Sequence, residues 1–487
     1  MNTIHLQEEA VRCLLCENAP CTQACKHGDP ARAVRAIRFG NARVAGRWLA
    51  ACNDEELAAA EHACIHYDRP IRLREIKKLL EKQNSQSAAT ALPSLSVAFC
   101  GIACENPFFL ASSSICTNYD MVARACDAGW AGVFYKTICL QDIQEVSPRF
   151  DALHADGEQG DFYAFRNMEQ LSENPVEVDF DILARLKKNY PSKVVVASIM
   201  GQTESEWVSL AKMAEQAGVD AVELNFSCPQ MRFEGMGSDV GQSEELVKAY
   251  TAAVKSCVAI PVIPKMTPNI TQIVEPALAA VSAGADAISA INTIKSVTMS
   301  ERAEVSDRRT VSGISGRAVT PIALRFILEM AQHPQMKGVQ LSGIGGIETW
   351  RDALEFIQLG CCNVQVCTAV MQYGYRIIDD LTLGLQHYMV QRGIERVDDL
   401  VGEELPSFVA PTGLDRDTMV FPKIDREKCV GCGRCYVSCI DGGHQAISFD
   451  ENRQPHIVGT KCVGCHLCHL VCPTGAIGAT KRVKKRS

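Results

Sequence analysis

Two cysteine runs stand near the end of the sequence: Cys429, Cys432, Cys435 and Cys439, then Cys462, Cys465, Cys468 and Cys472. Each reads C-x2-C-x2-C-x3-C, and Pro473 follows the second. This spacing wraps a short loop around one face of a 4Fe–4S cube, and in two-cluster modules the fourth cysteine of each run ligates the other cluster. The expected sets are therefore Cys429, Cys432, Cys435 with Cys472, and Cys462, Cys465, Cys468 with Cys439. CxxC pairs also bind zinc, but the doubled run closed by Cys-Pro favours iron–sulfur. Clusters pass electrons singly, so a second redox group that handles electron pairs is expected elsewhere in the chain.

The middle of the chain carries further polar residues able to do chemistry, and each follows a short apolar run. β-rich runs stand at 107–112 (PFFLAS), 132–136 (GVFYK), 193–200 (KVVVASIM), 220–226 (DAVELNF), 261–266 (PVIPKM), 286–292 (DAISAIN), 337–343 (KGVQLSG) and 362–367 (CNVQVC). Amphipathic patterns such as Ser205–Ala217, Ser243–Ser256 and Thr349–Gln358 separate most of them. Eight buried strands alternating with helices predict an α/β fold, a (β/α)8 TIM barrel. A doubly wound sheet would want a G-x-G-x-x-G turn after an early strand, and none stands there. In a barrel, chemistry sits where strands end. Ser112, Lys136 with Thr137, Asn225, Lys265, Asn292 with Thr293, Gly343 with Gly345 and Gly346, and Cys367 with Thr368 occupy those ends. Any one of them could be a satisfied structural residue, but the set at corresponding positions is hard to explain that way. The glycines after strand seven and a helix beginning near Thr368 predict a phosphate cradle. A flavin bridges one- and two-electron chemistry, and a single phosphate matches FMN. Lys136 or Lys265 beside the flavin would stabilise its anionic reduced form. Within Asn225-Phe226-Ser227-Cys228-Pro229, Cys228 is the expected general acid, since an unperturbed thiol holds its proton at neutral pH. The alternative for Cys228 is a small buried hydrophobe. The glycine- and methionine-bearing stretch 230–243 reads as a lid.

Composition bounds the rest. The 487-residue chain has 24 cysteines, a net charge of −8, and is 47% hydrophobic and 22% charged. This describes a globular protein of two or three domains and argues against a nucleic-acid partner. The basic run 481–486 reads as a solvated tail. No apolar run is long enough to span a bilayer, and the opening residues lack the pattern of a signal peptide. The cysteine count then implies a reducing cytoplasm, with no membrane association. Three domains are expected: a helical segment at 1–85, the barrel at 95–400 and the ferredoxin-type module at 420–480, with loose linkers at 83–96 and 402–422.

NFSCPQ with MGSDVGQ, PKMTPNI, INTIKS, SGISGRAVTPIALR, SGIGGIETW and MQYGYR resemble the dihydropyrimidine dehydrogenase family, in particular the catalytic subunit of its two-subunit bacterial form. The resemblance runs from about Leu95 to Gly478 and holds in motif and order. It implies hydride transfer between FMN N5 and C6 of uracil or thymine in pyrimidine catabolism, with Cys228 protonating C5. It implies further that Asn167, Asn225, Ser227, Asn292 and Thr293 bind the pyrimidine. Ser112, Lys136, Thr137, Lys265, Gly316, Gly343, Gly345, Gly346, Cys367 and Thr368 would bind FMN. An amide-rich set suits the alternating donors and acceptors of a uracil edge. The family's FAD and nicotinamide sites have no counterpart here, so a flavoprotein partner using NAD(P)H is implied. Two other readings are dihydroorotate oxidation, on a similar FMN barrel and N-x-S-C-P loop, and a non-catalytic electron carrier with a vestigial barrel.

The opening segment departs from that subunit. Cys13, Cys16, Cys21 and Cys25 read C-x2-C-x4-C-x3-C, similar to the head of the single-chain enzyme and to the small subunit of glutamate synthase. Only Cys52 and Cys64 follow. Either one cluster forms on Cys13, Cys16, Cys21 and Cys25 or Cys64, or the segment is a metal-free docking module.

Overall fold

The computed structural model describes residues 3–83, 91–154, 162–231, 233–298 and 310–485. Residues 84–90 of the expected linker, Arg232 of the expected lid and Arg486 of the basic tail lie outside the described residues. The chain divides into two compact units, Met1–Leu405 and Pro406–Ser487.

All eight expected strands form, and they close into one parallel barrel. In chain order they are β1 (Phe108–Leu110), β2 (Gly132–Phe134), β3 (Val194–Ile199), β4 (Ala221–Asn225), β5 (Val262–Lys265), β6 (Ala287–Ala290), β7 (Gln340–Ile344) and β8 (Cys361–Val366). Residues such as VVVASI are buried along their whole length, as strands covered on both faces must be. The intervening helices begin where polar caps supply acceptors: Thr203 takes the N–H of Glu206, and Thr349 forms a capping box with Asp352. Each loop thus delivers its strand-end residue to the same rim.

One element escaped the sequence reading. Four antiparallel strands, in the order Ile294–Ser296, Ser312–Ser315, Phe162–Asn167 and Phe150–His154, make a second sheet. It is built from the long connections after β2 and β6. Its Phe150 and Phe165 rings lie 5.1 Å apart and both line the cleft at the barrel mouth. The sheet presses close on the barrel rim, because a Cβ at Gly313 would stand 2.1 Å from Thr293 Oγ1.

The opening segment folds into short helices around its own apolar core, which includes Leu6, Val34, Ile37, Leu49, Leu57, Ile76 and Leu80. Gly40, with φ of +83, ends the helix Pro30–Arg38 before Ala42–Leu49 begins. The segment docks on the helix Ile378–Arg392 that follows β8. Arg35 Nε donates to Asp380 Oδ2 at 2.7 Å, Arg32 Nη2 to Asp379 Oδ2 at 2.9 Å, and Asn41 Nδ2 to the Asp380 carbonyl at 2.7 Å. Phe39 meets Tyr373 edge-on at 5.1 Å. A buried ion pair with hydrogen-bonded partners fixes geometry more than it adds stability.

In the second unit, helix Arg434–Gly442 carries Cys435 and Cys439 of the first cysteine run, and helix Leu467–Leu470 carries Cys468 of the second. Two small antiparallel ladders, Pro422–Ile424 with Ile477–Ala479 and Ile447–Phe449 with Pro455–Ile457, frame them. No helix among the described residues is long and apolar enough to cross a membrane.

Candidate active site and iron–sulfur sites

A cleft opens at the barrel mouth, with about 990 Å³ of empty space that includes open solvent. Asn167, Ser112, Lys136, Thr137, Asn225, Cys228, Lys265, Asn292, Thr293, Gly345, Gly346, Cys367 and Thr368 all line it. Ser227, Gly316 and Gly343 are not among the lining residues. Ser227 is fully buried and ties two lining amides together: its Oγ donates to Asn225 Oδ1 at 2.7 Å and accepts from Asn292 Nδ2 at 3.0 Å. Gly343 faces the helical layer, where a Cβ would stand 2.5 Å from the Phe356 ring. Gly316 backs the cradle, its carbonyl oxygen 2.6 Å from where a Cβ on Gly346 would lie.

Hydrogen bonds hold the polar wall in one arrangement. Asn225 Nδ2 donates to Thr137 Oγ1 at 2.9 Å, which also meets Ser112 Oγ at 3.0 Å and Ser198 Oγ at 2.9 Å. Lys136 Nζ donates to Glu169 Oε2 at 2.9 Å, and Arg149 braces the other oxygen at 3.3 Å. Gln230 Nε2 reaches across to Asn167 Oδ1 at 3.3 Å, fastening the loop after Cys228 to the mouth sheet. Cys228 is buried, 6% exposed, rather than sitting in an open loop. Burial pushes its thiol up to about 11, so it holds a proton across the neutral range. Ser238 N donates to the Cys228 carbonyl at 2.9 Å, and Gly237 packs on the Cys228 backbone. The described part of the expected lid thus packs on Cys228 through Gly237 and Ser238, with a short helix at Ser238–Gly241.

The fit to a flavin mononucleotide can be judged from the chain itself. Buried oxygens without partners, Gln365 Oε1, Glu348 Oε1 and Gln230 Oε1, belong to cleft-lining residues and await donors. At the other end, Gly345 and Gly346 have φ of +141 and +75 and present bare amides. Opposite them the Ser315 and Thr368 hydroxyls meet at 2.9 Å at the start of the helix Thr368–Tyr373. Two lysines, a small-residue cradle and fixed amides with spare acceptor oxygens match a phosphate, a polyol and a heteroaromatic edge. Glu169, Gln365, Ser315 and Glu348 were missed from sequence. Glu169 stands beside Asn167 in FRNMEQ, and Gln365 interrupts an apolar strand, so a buried-polar signal was present for both.

The thiols also converge. Cys429, Cys432, Cys435 and Cys472 line one pocket in the second unit. Burial first, then neighbouring Cys435, Cys465 and Cys439, push the Cys468 thiol up to about 11. The fourth cysteine of each run accepts a backbone N–H: Ala446 to Cys439 Sγ and Ala476 to Cys472 Sγ, both at 3.2 Å. Among the described residues no three His, Cys, Asp or Glu groups are close enough to share a single metal ion. In the opening segment Cys13, Cys16, Cys21 and Cys64 line one apolar pocket with Leu14 and Ile65. Burial first, then neighbouring Cys13 and Cys64, push the Cys21 thiol up to about 11. Cys25 does not join them. The short helix Pro20–Gln23 carries it past the pocket to Cys52, 3.0 Å away sulfur to sulfur.

An anion cradle, paired lysines and a protonated cysteine at the mouth of a (β/α)8 barrel, joined in one chain to a cysteine-rich ferredoxin-like module, define a flavin and iron–sulfur oxidoreductase. Residues 94–389 match the sequence model of the dihydroorotate dehydrogenase family and residues 422–478 that of the 4Fe-4S dicluster domain. The chain is 50% identical over 369 residues to the NAD-dependent dihydropyrimidine dehydrogenase subunit PreA of Escherichia coli, covering 74% of this chain and 89% of that one. It is 39% identical over 345 residues to the chloroplastic dihydropyrimidine dehydrogenase (NADP(+)) of Arabidopsis thaliana, covering 67% and 81%. The crystal structure of Eimeria tenella DHODH with ferulenol superposes with a TM-score of 0.55 at 19% identity, over 67% of this chain and 93% of that one, which shows the shared fold. The chain belongs to the dihydroorotate dehydrogenase family and, within it, to the dihydropyrimidine dehydrogenases.

Proposed function

We propose that the protein reduces the 5,6 double bond of uracil or thymine, with electrons drawn from NAD(P)H by an FAD-bearing partner subunit. The observation that carries this reading is the buried, protonated Cys228 thiol set in a wall of fixed amides and hydroxyls from Asn167, Asn225, Asn292 and Thr293. A pyrimidine ring edge alternates donors and acceptors, and primary amides answer both. Bound between Lys136, Lys265 and the glycine cradle, FMN would supply hydride to the substrate and accept electrons one at a time. The chain's own part is to orient the ring, to exclude water behind the folded loop 230–243, and to deliver the Cys228 proton to C5 as hydride arrives at C6. The E. coli relative is named as a subunit, which supports a partner.

The test is anaerobic bleaching of the oxidised protein's flavin band by dihydrouracil and by dihydroorotate, added separately. Bleaching by dihydrouracil alone is expected, since that half-reaction needs no partner. Bleaching by dihydroorotate alone would move the protein to the orotate reaction, and bleaching by neither would remove the pyrimidine reading.

The thiol geometry supports three 4Fe–4S clusters. Two use the crossed sets Cys429, Cys432, Cys435 with Cys472 and Cys462, Cys465, Cys468 with Cys439, and the third uses Cys13, Cys16, Cys21 and Cys64. Cys64→Ala is therefore expected to lose one cluster's share of iron and acid-labile sulfide, while Cys25→Ala keeps it. Equal iron in both variants and the unaltered protein would make the opening segment a metal-free docking module.

A further inference from the structure

The floor of the cleft contains an acid that the reaction as proposed does not use. Glu223 lies on β4 two residues before Asn225, so both side chains face the barrel interior. It is fully buried. Its Oε1 accepts from Ser198 Oγ at 2.9 Å and its Oε2 from Ser289 Oγ at 2.8 Å. Lys265 Nζ stands 3.8 Å from Oε1, with side-chain exposures of 4% for the lysine and 0% for the glutamate. The strand register enforces the meeting, because Lys265 is opposite Asn225 on β4 and Ser289 on β6. Gln365 Nε2 then holds Ser289 at 3.3 Å and Ser342 at 2.9 Å, so the hydroxyls beneath the acid are themselves fixed.

The two lysines of the cleft are consequently held in different ways. Lys136 is tied at the wall by a direct hydrogen bond to Glu169. Lys265 has its counter-charge beneath it at a longer distance, and Glu223 is its one carboxylate partner among the described residues. Because two hydroxyls already satisfy that carboxylate, the ammonium is held in place with its own donors left for the cleft it lines. A buried ammonium that loses its counter-charge is destabilised where it stands and turns toward water.

We propose that Glu223 is a positioning residue that keeps the Lys265 ammonium directed into the cleft, and so raises the reduction potential of the flavin bound there. The inference rests on the flavin reading above. A cation beside a bound flavin favours its reduced, anionic form, and Glu223 acts only through that cation. Glu223→Gln keeps a carbonyl acceptor and an amide in the same volume but removes the charge.

Dye-equilibrated potentiometric titration of the flavin in the full chain tests this at pH 8 in four forms: unaltered, E223Q, K265M and the double variant. E223Q is expected to lower the stability of reduced flavin about tenfold, a shift of roughly 30 mV for a two-electron couple. K265M should lower it at least as far, and E223Q should add nothing in the K265M background. A higher potential in E223Q would mean that the acid contributes only its own negative field, and would overturn the proposal. So would a shift that persists undiminished without Lys265. If E223Q alone fails to accumulate, the comparison of E223Q/K265M with K265M still decides, because removing both members of a buried pair is tolerated better than removing one. A purified chain that binds no flavin sinks the flavin reading itself, whereas bound flavin of unmoved potential sinks only the role of Glu223.

Discussion

Cys228→Ala is expected to keep its flavin and to slow pyrimidine reduction by about two to four orders of magnitude, the usual scale for loss of a positioned general acid. The substitution removes one sulfur from a buried site and leaves every hydrogen bond of the Asn225–Thr137–Ser198 wall in place. Flavin content and substrate KM should therefore change little while the chemical step falls, a split that stopped-flow measurement of flavin reoxidation by uracil reads directly. The direction of the thiol's shift adds a second signature. Burial raises it to about 11, and the proton donor is the neutral thiol. The reduction rate should stay level from neutral pH to about pH 10 and decline as pH approaches 11. In the opposite direction the thiolate must accept a proton, so dihydrouracil oxidation should climb close to tenfold per pH unit over the same range. Cys228→Ala should flatten both profiles. Near-normal turnover in that variant would take Cys228 out of the mechanism.

The barrel was legible because its strands are buried, mostly apolar runs, most of them followed at once by polar residues, a local pattern that survives without knowledge of contacts. Lys136, Asn225, Lys265 and Thr368 reach the cleft for that reason. What local pattern does not reveal is partnership across the fold. The mouth sheet pairs residues 162–167 with 312–315, far apart in sequence, and its short strands sit inside connections that read as loops. Ser227 and Gly343 occupy motif positions, yet the first is held beneath Asn225 and Asn292 and the second faces Phe356. Alternation along β4 and β7 settles which way such residues point, and a one-residue step in register reverses it. The opening cysteines show the same limit. Spacing left Cys25 and Cys64 as equal companions for Cys13, Cys16 and Cys21, whereas the turn of helix at Pro20–Gln23 swings Cys25 to Cys52 and Cys64 lines the pocket with the other three.

Gly346→Ala is expected to empty the cradle of flavin while the protein stays folded. A Cβ on Gly346 would lie 2.2 Å from Thr320 Oγ1, 2.6 Å from the Gly316 carbonyl oxygen and 3.0 Å from Arg317 Cα. A threonine hydroxyl can rotate, but the Gly316 and Arg317 backbone cannot yield without moving the loop that closes the phosphate end. The φ of +75 at this position adds strain for any residue with a Cβ, about 1–2 kcal/mol. Overpacking costs roughly 1–3 kcal/mol more. The loop relieves both by opening, which carries the cradle amides away from the anion they would bind, so the cost falls on cofactor affinity. A total of about 2–5 kcal/mol corresponds to roughly one and a half to three and a half orders of magnitude in the Kd for FMN, measurable by fluorescence titration of the flavin-stripped protein. Gly218→Ala separates space from strain. Gly218 has a similar φ of +77 but nothing within 4 Å of its Cβ position, and it ends the helix Glu204–Gln216 away from the cleft lining. It should lower thermal stability slightly and leave FMN affinity unchanged. If both variants bind FMN normally, the bare amides after β7 do not hold the phosphate, and the anion's place must be sought elsewhere along the barrel rim.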